Sequence, residues 1–342
     1  MSAEASSAEH PFVSVIIPVL DGVDEVDGCI AALRAQRYPS TCFEILVVDN
    51  GSSDGTPEAL AALGVRCLVR AERGRSRALN TGLAAARGEI ICTTDISCRP
   101  EPQWIAEVVE SFADPAVGCV AGEIVQLGDA DGVALRYQAR NGYMSPLAAA
   151  GRIRAPFMPY ADGANASFRR ALFERIGPFE ESFIKAADVE ICYRMLLLTD
   201  YHIAFNPRAR VGEPGEPSLR ALLRQRYRIG VGQVLLQIRF PGLFAALDGT
   251  SWRARYWGLR EALLRLADVP GLVFRALYRG QARARLADRV IGLMMRMVQR
   301  LGFRVGVRRL RLWLQRPQPL HVSRMEDYVA GRWSVAARVV RH

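Results

Sequence analysis

The chain has 342 residues, 50% of them hydrophobic and 23% charged, with 29 Gly and 18 Pro. That is globular material for one large domain with an appendage or for two domains, and it excludes a disordered, collagen-like or coiled-coil chain. Residues 1–206 carry 18 cations against 27 acids, a balance of −9, while residues 207–342 carry 27 against 8, a balance of +19. Such asymmetry implies an anionic partner for the second part (phosphate, lipid head groups or nucleic acid) or, more plainly, an Arg-rich surface.

Seven cysteines (Cys29, Cys42, Cys67, Cys92, Cys98, Cys119 and Cys192) include no CxxC pair, and most lie in apolar stretches. They read as small buried hydrophobes, neither a disulfide frame nor a zinc site. His10, His202, His321 and His342 are scattered and support no metal site or catalytic triad. Met1 to His10 lacks the basic start and apolar centre of a signal peptide. The longest uncharged stretch of the basic part, Ile229 to Ile238, is half of what a bilayer crossing needs.

In chain order, Phe12 to Leu20 predicts a buried strand bounded by Asp21-Gly22, and Val23 to Arg37 a helix ended by Tyr38-Pro39. Phe43 to Val48 predicts a second strand running into a turn of small polar residues, Asp49 to Gly55. Thr56 and Pro57 then open a helix. Val65 to Val69 is a third strand, Ser76 to Arg87 an Ala-rich helix closed by Gly88, and Glu89 to Thr94 a fourth strand ending at Asp95. Val117 to Val125 continues the sheet, and Asp162 to Arg170 reads as a turn and short strand feeding the helix Ala171 to Ile176. Lys185 to Leu198 is a further helix. The acidic part ends near Pro207, followed by a linker containing Gly212, Pro214, Gly215 and Pro217.

This alternation argues for an α/β sheet with helices on both faces, whose ligands bind beyond the carboxyl ends of the strands. Asp21, Asp49 and Asp95 each follow an apolar strand, so three acids converge on one edge. Residues 218–316 read as helices. From Ala282 to Trp313, the apolar residues Leu286, Val290, Met294, Met297 and Leu301 recur at helical spacing, while Arg285, Arg289, Arg296, Arg300 and Arg304 take another face. Such a helix is either a bilayer-surface anchor or one packed on the main domain with solvated arginines. Nucleic acid is disfavoured, because no binding motif is present and aromatics make up 8%.

Six segments in order, FVSVIIPVLDG, FEILVVDNGSSDGT, NTGLAAARG, TTDISCRPEPQWI, DGANASFRR…ERIGPFEE and AADVEICYR, resemble the inverting family 2 glycosyltransferases over about residues 12–240. The resemblance implies a Rossmann-like GT-A mixed sheet flanked by helices, here with a basic all-helical C-terminal extension. It divides the chain into a disordered tail (1–11), a GT-A domain (12–215), a basic amphipathic helical extension (216–316) and a C-terminal tail (317–342).

The resemblance also assigns roles. Pro18, Val19, Leu20 and Asp21, with Asp49, would hold the nucleoside, and Asp54 serves either the same turn or the ligand. Asp95 is the first acid of the family's Asp-x-Asp pair, whose second position is Ser97 here. A divalent cation, Mn2+ or Mg2+, would sit there on the donor diphosphate, a serine hydroxyl being a poor ligand for a hard cation. Protein cations, Arg75, Arg77 and the group Arg224, Arg226 and Arg228, are available for phosphate. Asp162, Gly163 and Asn165 match the loop beside the donor sugar; Asp162 is either a sugar ligand or simply part of a turn. The family's Glu-Asp pair is Ala187-Asp188 here. Asp188 is the candidate base and Glu190 the reserve, against the plainer reading of a helix N-terminal acid with a surface neighbour.

These readings converge on transfer of a sugar from a nucleoside-diphosphate sugar, UDP-linked, to a hydroxyl of a glycan or lipid-linked, polyisoprenoid-borne acceptor. The protein would be cytoplasmic and peripheral on the inner face of the cell membrane. The alternatives, raised by Ser97 and Ala187, are a catalytically impaired sugar-nucleotide-binding module or a scaffolding module of a polysaccharide assembly complex.

Overall fold

The computed structural model describes residues 10–129, 131–150, 153, 155–183, 185–244, 280–309, 317–335 and 337–339. Most of the tail expected over 1–11, and residues 245–279 and 310–316 of the expected helical extension, lie outside the described residues.

Strands β1 (Val13–Val19), β2 (Phe43–Asp49), β3 (Cys67–Val69) and β4 (Ile90–Thr93) are mutually parallel and arranged β3-β2-β1-β4. Between them run helices α1 (Val23–Arg34), α2 (Thr56–Ala62) and α3 (Arg75–Ala85). β5 (Arg99–Pro100), α4 (Trp104–Ser111), β6 (Val117–Leu127), α5 (Val133–Asn141) and α6 (Pro146–Ala150) follow. β7 (Ala166–Arg169), α7 (Arg170–Ile176), α8 (Ala187–Leu198) and β8 (His202–Pro214) complete the sheet domain. β7 lies antiparallel between β4 and β6, and β8 runs parallel to β6. The sheet is therefore mixed, and the entry to β7 shares an edge with the carboxyl ends of the parallel strands.

Alternation along β1 divides the core. Val13, Val15, Ile17 and Val19 face a cluster containing Ile30 and Leu33 of α1 and Trp104 and Val108 of α4. Ile16 faces the other, with Ala78 and Leu79 of α3 and Ile191 and Leu196 of α8. Both faces are covered, which is why these strands read as unbroken apolar runs. All seven cysteines are free thiols, five of them buried.

Most of the expected linker is strand, and only Gly215 to Pro217 of it lie between β8 and the next helix. β8 runs on to Pro214, and Pro207 sits where the register with β6 jumps from Gly122↔Asn206 to Glu123↔Arg210. Proline is tolerated at such a bulge. The Asn206 carboxamide oxygen accepts the N–H groups of Arg208 (2.8 Å) and Ala209 (3.3 Å) that the bulge turns out of the ladder.

Ser218 caps α9 (Leu219–Arg239), accepting the Ala221 N–H at 3.2 Å. Leu235 and Leu236 of α9 enter the main core. A short α10 (Pro241–Phe244) follows, then the 30-residue α11 (Gly280–Arg309). α11 packs on α9 so closely that a Cβ on Gly302 would collide with the Tyr227 carbonyl, and one on Gly230 with that of Gln299. The expected C-terminal tail is built into the fold. The Leu320 N–H donates to Arg239 O at 2.7 Å, Met325 of α12 (Ser323–Val329) is buried, and β9 (Ala337–Val339) pairs with β8. Among the described residues no helix is long and apolar enough to cross a membrane.

Candidate active site

Every predicted acid after a strand reaches the same sheet edge. Asp21 (φ 51°) follows β1; its N–H donates to Ser52 Oγ at 2.9 Å and its Oδ1 accepts the Ser53 N–H at 2.9 Å. Asp49 ends β2, is 3% exposed and accepts the N–H groups of Gly51 and Ser52 at 3.2 Å. Asp54 accepts from the Val23 N–H at 3.0 Å and from the Thr56 hydroxyl at 2.5 Å, and these bonds hold its carboxyl below the usual range. The Asp54 carboxylate is thus spent on lacing the two loops together. Pro18 and Val19 are mostly covered, whereas Leu20 is 42% exposed at the rim.

Asn50 continues this lacing. Its Nδ2 donates to the carbonyls of Arg70 and Glu72, and its Oδ1 accepts the Gly74 N–H at 2.6 Å. It thereby sets the loop that opens α3, whose first residue is Arg75. The Arg75 guanidinium forms an ion pair with Asp95 through Nη1 and donates from Nη2 to the Gly163 carbonyl at 3.0 Å. Burial works against its charge, but Asp95, Asp188 and Asp162 outweigh that and raise its pKa above the ordinary value. Ser97 lies in the turn that the Cys98 N–H closes on Asp95 O at 2.9 Å.

The 162–165 turn is pinned from below. The Thr93 hydroxyl donates to the carbonyls of Gly163 and Ala166 at 3.1 Å, and that of Thr94 to Ala164 O at 2.9 Å. Burial first, then the Asp188 and Asp95 charges, push the Asp162 carboxyl up to about 6. Asn165 plays a different part from the ligand role expected of it. It is 1% exposed, accepts the Trp104 indole N–H at 2.8 Å and donates to the carbonyls of Glu123 and Ala209, stitching α4, β6 and β8 together.

Asp188 stands in the first turn of α8, just after Ala186, which holds the left-handed conformation at φ 67°. Its Oδ2 accepts the Gly163 N–H and its Oδ1 the Val189 N–H, each at 3.0 Å. Glu190 is elsewhere. It is fully buried, accepting from Arg194 Nη2 at 3.0 Å and Arg239 Nε at 3.1 Å, so it ties α8 to α9 and offers nothing to a substrate in the cleft. The reserve role expected of it fails because two residues, about half a turn of helix, carry it from the cleft side to the core side of α8. Arg224 and Arg228 are exposed, and Arg77 pairs with Glu181 at 3.3 Å. Arg226 is the inward member of its group, its guanidinium lying 4.5 Å from the Tyr143 ring centre.

Two groups had no sequence signal. Glu213, near the end of β8, has its carboxyl pushed up to about 8 by burial and by the Asp162 and Asp95 charges. Burial, together with Asp162 and Asp188, also raises the Tyr160 phenol. Recognising β8 through its proline would have placed Glu213 at a strand end like the other acids. Among the described residues no three His, Cys, Asp or Glu side chains gather closely enough to hold a metal ion by themselves.

Two family models match the chain: Glycosyl transferase family 2 over residues 14–177 and Glycosyl transferase family group 2 over residues 99–304. The glycosyltransferase AglE of Haloferax volcanii is 31% identical over 233 residues, covering 66% of this chain and 73% of that protein. The pre-mycofactocin glycosyltransferase of Mycobacterium tuberculosis is 26% identical, covering 80% of this chain, which spans only 57% of that protein. Among solved structures, the mannosyltransferase PcManGT from Pyrobaculum calidifontis, in complex with GDP-Man and Mn2+, superposes with a TM-score of 0.57 at 25% identity. That match covers 90% of this chain and 88% of that one.

Proposed function

The chain belongs to glycosyl transferase family 2, and we propose that it is an inverting enzyme. It takes a nucleoside-diphosphate sugar, UDP-linked, and passes the sugar to a hydroxyl of a glycan or lipid-linked glycan at the inner face of the cell membrane. The observation that carries this reading is the hydrogen bond of Asp188 to Gly163, which holds a carboxylate beside the turn that faces Asp95 and Arg75.

In this reading the nucleoside lies against Pro18 to Asp21 and Asp49, and the diphosphate lies toward Arg75. Asp188 takes the proton of the acceptor hydroxyl as its oxygen attacks the anomeric carbon. The bond from that carbon to the β-phosphate oxygen breaks, and the diphosphate leaves with the electron pair. Asp162, beside the sugar, offers a hydrogen bond to its hydroxyls. Arg75, a fixed planar donor, suits phosphate oxygens.

A divalent cation fits these residues. Asp95 pairs with Arg75, whose charge Asp162, Asp188 and Glu213 also feel, and carboxylate oxygens are what a hard cation takes. No three of these side chains gather closely enough to hold it alone, so phosphate and water oxygens would complete its shell. Asp95 and Ser97 would hold it, and when bound it offsets charge on the leaving diphosphate.

A thermal-shift panel of UDP-, GDP- and dTDP-sugars with and without Mn2+ tests the reading, because ligands that bind only the folded state raise its melting temperature. Slow release of nucleoside diphosphate without acceptor tests turnover. If no nucleotide stabilises the protein, the proposal fails. Stabilisation without release supports the alternative raised by Ser97 and Ala187, a binding or scaffolding module.

A further inference from the structure

The apolar residues of α11 fall on two faces, and among the described residues only one of them is packed. Ile291 and Met295 are buried with Leu222 of α9 and Tyr137 of α5, and Gly302 continues this side against α9. The stripe read from the sequence lies elsewhere on the helix. Val290 is 50% exposed, Met297 62% and Leu301 54%, with Leu293 and Met294 also exposed. At 3.6 residues per turn these five residues share an arc of about 100°, the width of a helix face built for burial.

Beside this arc stand Arg285, Arg289, Arg296 and Arg300, and Arg304 and Arg308 extend it toward the end of the helix, all six exposed. α11 contains one acid, Asp288, and the Arg140 guanidinium holds it at 2.5 Å and 2.9 Å. Among the described residues the outward side of α11 therefore presents exposed aliphatic and thioether groups and arginines, with no carboxylate of the helix's own. A second copy of the chain placed on it would bring arginine against arginine.

We propose that this outward face of α11 is a docking surface for an anionic lipid bilayer. The helix lies in the plane of the interface, Val290, Leu293, Met294, Met297 and Leu301 enter the boundary of the acyl chains, and the arginines reach lipid phosphates on flexible stems. The +19 balance of residues 207–342 adds a longer-range attraction of the same sign. The surface lies outside the cleft, so the inference deepens the membrane placement of the proposed function by naming the face that would carry it, and rests on none of the transfer chemistry.

The test is flotation of the full chain with vesicles of phosphatidylcholine, alone or with about one-third phosphatidylglycerol, at low and high salt. The expected result is flotation with the anionic vesicles at low salt, weakened at high salt, and absent with phosphatidylcholine alone. Met297→Glu/Leu301→Glu should lower the partition coefficient at least about tenfold while the melting temperature and nucleotide binding stay as in the parent. A lipid-indifferent parent overturns the proposal, as does a double variant that still floats. So does a dimer in sedimentation velocity that the double variant dissolves without any vesicle binding by the parent, which would assign the face to a second copy. Flotation needs no turnover, so this result and the fate of the transfer reading are separable.

Discussion

The Gly163 N–H donates to Asp188 Oδ2 at 3.0 Å, and the Gly163 carbonyl accepts from Arg75, so one residue joins the candidate base to the guanidinium proposed to meet the diphosphate. A Cβ at this position would come within 2.8 Å of Arg75 Nη2 and 3.4 Å of Asp188 Oδ2. Gly163→Ala should therefore displace the Arg75 guanidinium, while the contact with Asp188 is an ordinary one. Steady-state kinetics should show kcat reduced by up to about a hundredfold, the order set by ångström-scale misplacement of a reacting group. The melting temperature should change little, because the strain falls on the end of a flexible side chain.

Asp188→Asn keeps an oxygen for the Gly163 N–H but removes the proton acceptor. Nucleoside diphosphate binding, measured by calorimetry, should stay within a few-fold of the parent. Transfer should fall by about 10²–10⁴, the range general-base catalysis supplies. Unchanged transfer would exclude Asp188 as base.

Glu190→Ala leaves Arg194 and Arg239 buried without their carboxylate and should cost about 3–5 kcal/mol in denaturant unfolding. Glu190→Gln should keep turnover per folded molecule, which separates its structural part from a base.

The pH dependence of stability has a definite sign. Asp162 and Glu213 are pushed up to about 6 and about 8, so their neutral forms are favoured in the folded state. The stability they contribute is fully present below the ordinary carboxylate range and is lost as pH rises through these values. The melting temperature of the donor-free protein should fall from pH 5.5 to 8.5, and Glu213→Gln should flatten the upper part of that fall.

Ser97→Asp restores the second carboxylate beside Asp95. Mn2+ should then bind the variant more tightly in calorimetry, and stabilisation by UDP should gain a stronger dependence on added Mn2+. Equal Mn2+ affinity in the two proteins would place the cation away from residue 97.

Local pattern alone carried much of this. The runs before Asp21, Asp49 and Asp95 are apolar and β-branched because both faces of the sheet are covered, so their ends, and hence one edge of acids, were legible from the sequence. The turn at Asp162 and the helix that starts at Ala187 were legible for the same reason, each being set by neighbouring residues. β8 was not, because Pro207 read as the end of the acidic part and Gly212 and Pro214 as a linker, and the bulge opposite Gly122 and Glu123 is what lets a strand carry the proline.

What the sequence determined by itself was the order of the strands and helices as far as Asp95 and the chemistry available at those strand ends, since both follow from short-range periodicity. The tertiary structure decided which of those groups stay at the sheet edge and which are built into the fold. Asn165 and Glu190 are polar side chains in the same motifs as Asp162 and Asp188, yet packing turns the first two into the interior, where their hydrogen bonds must be met by protein. It also decided that α11 packs through Ile291 and Met295 and leaves Met297 and Leu301 outside, because two apolar stripes on one helix are indistinguishable until a neighbour covers one of them.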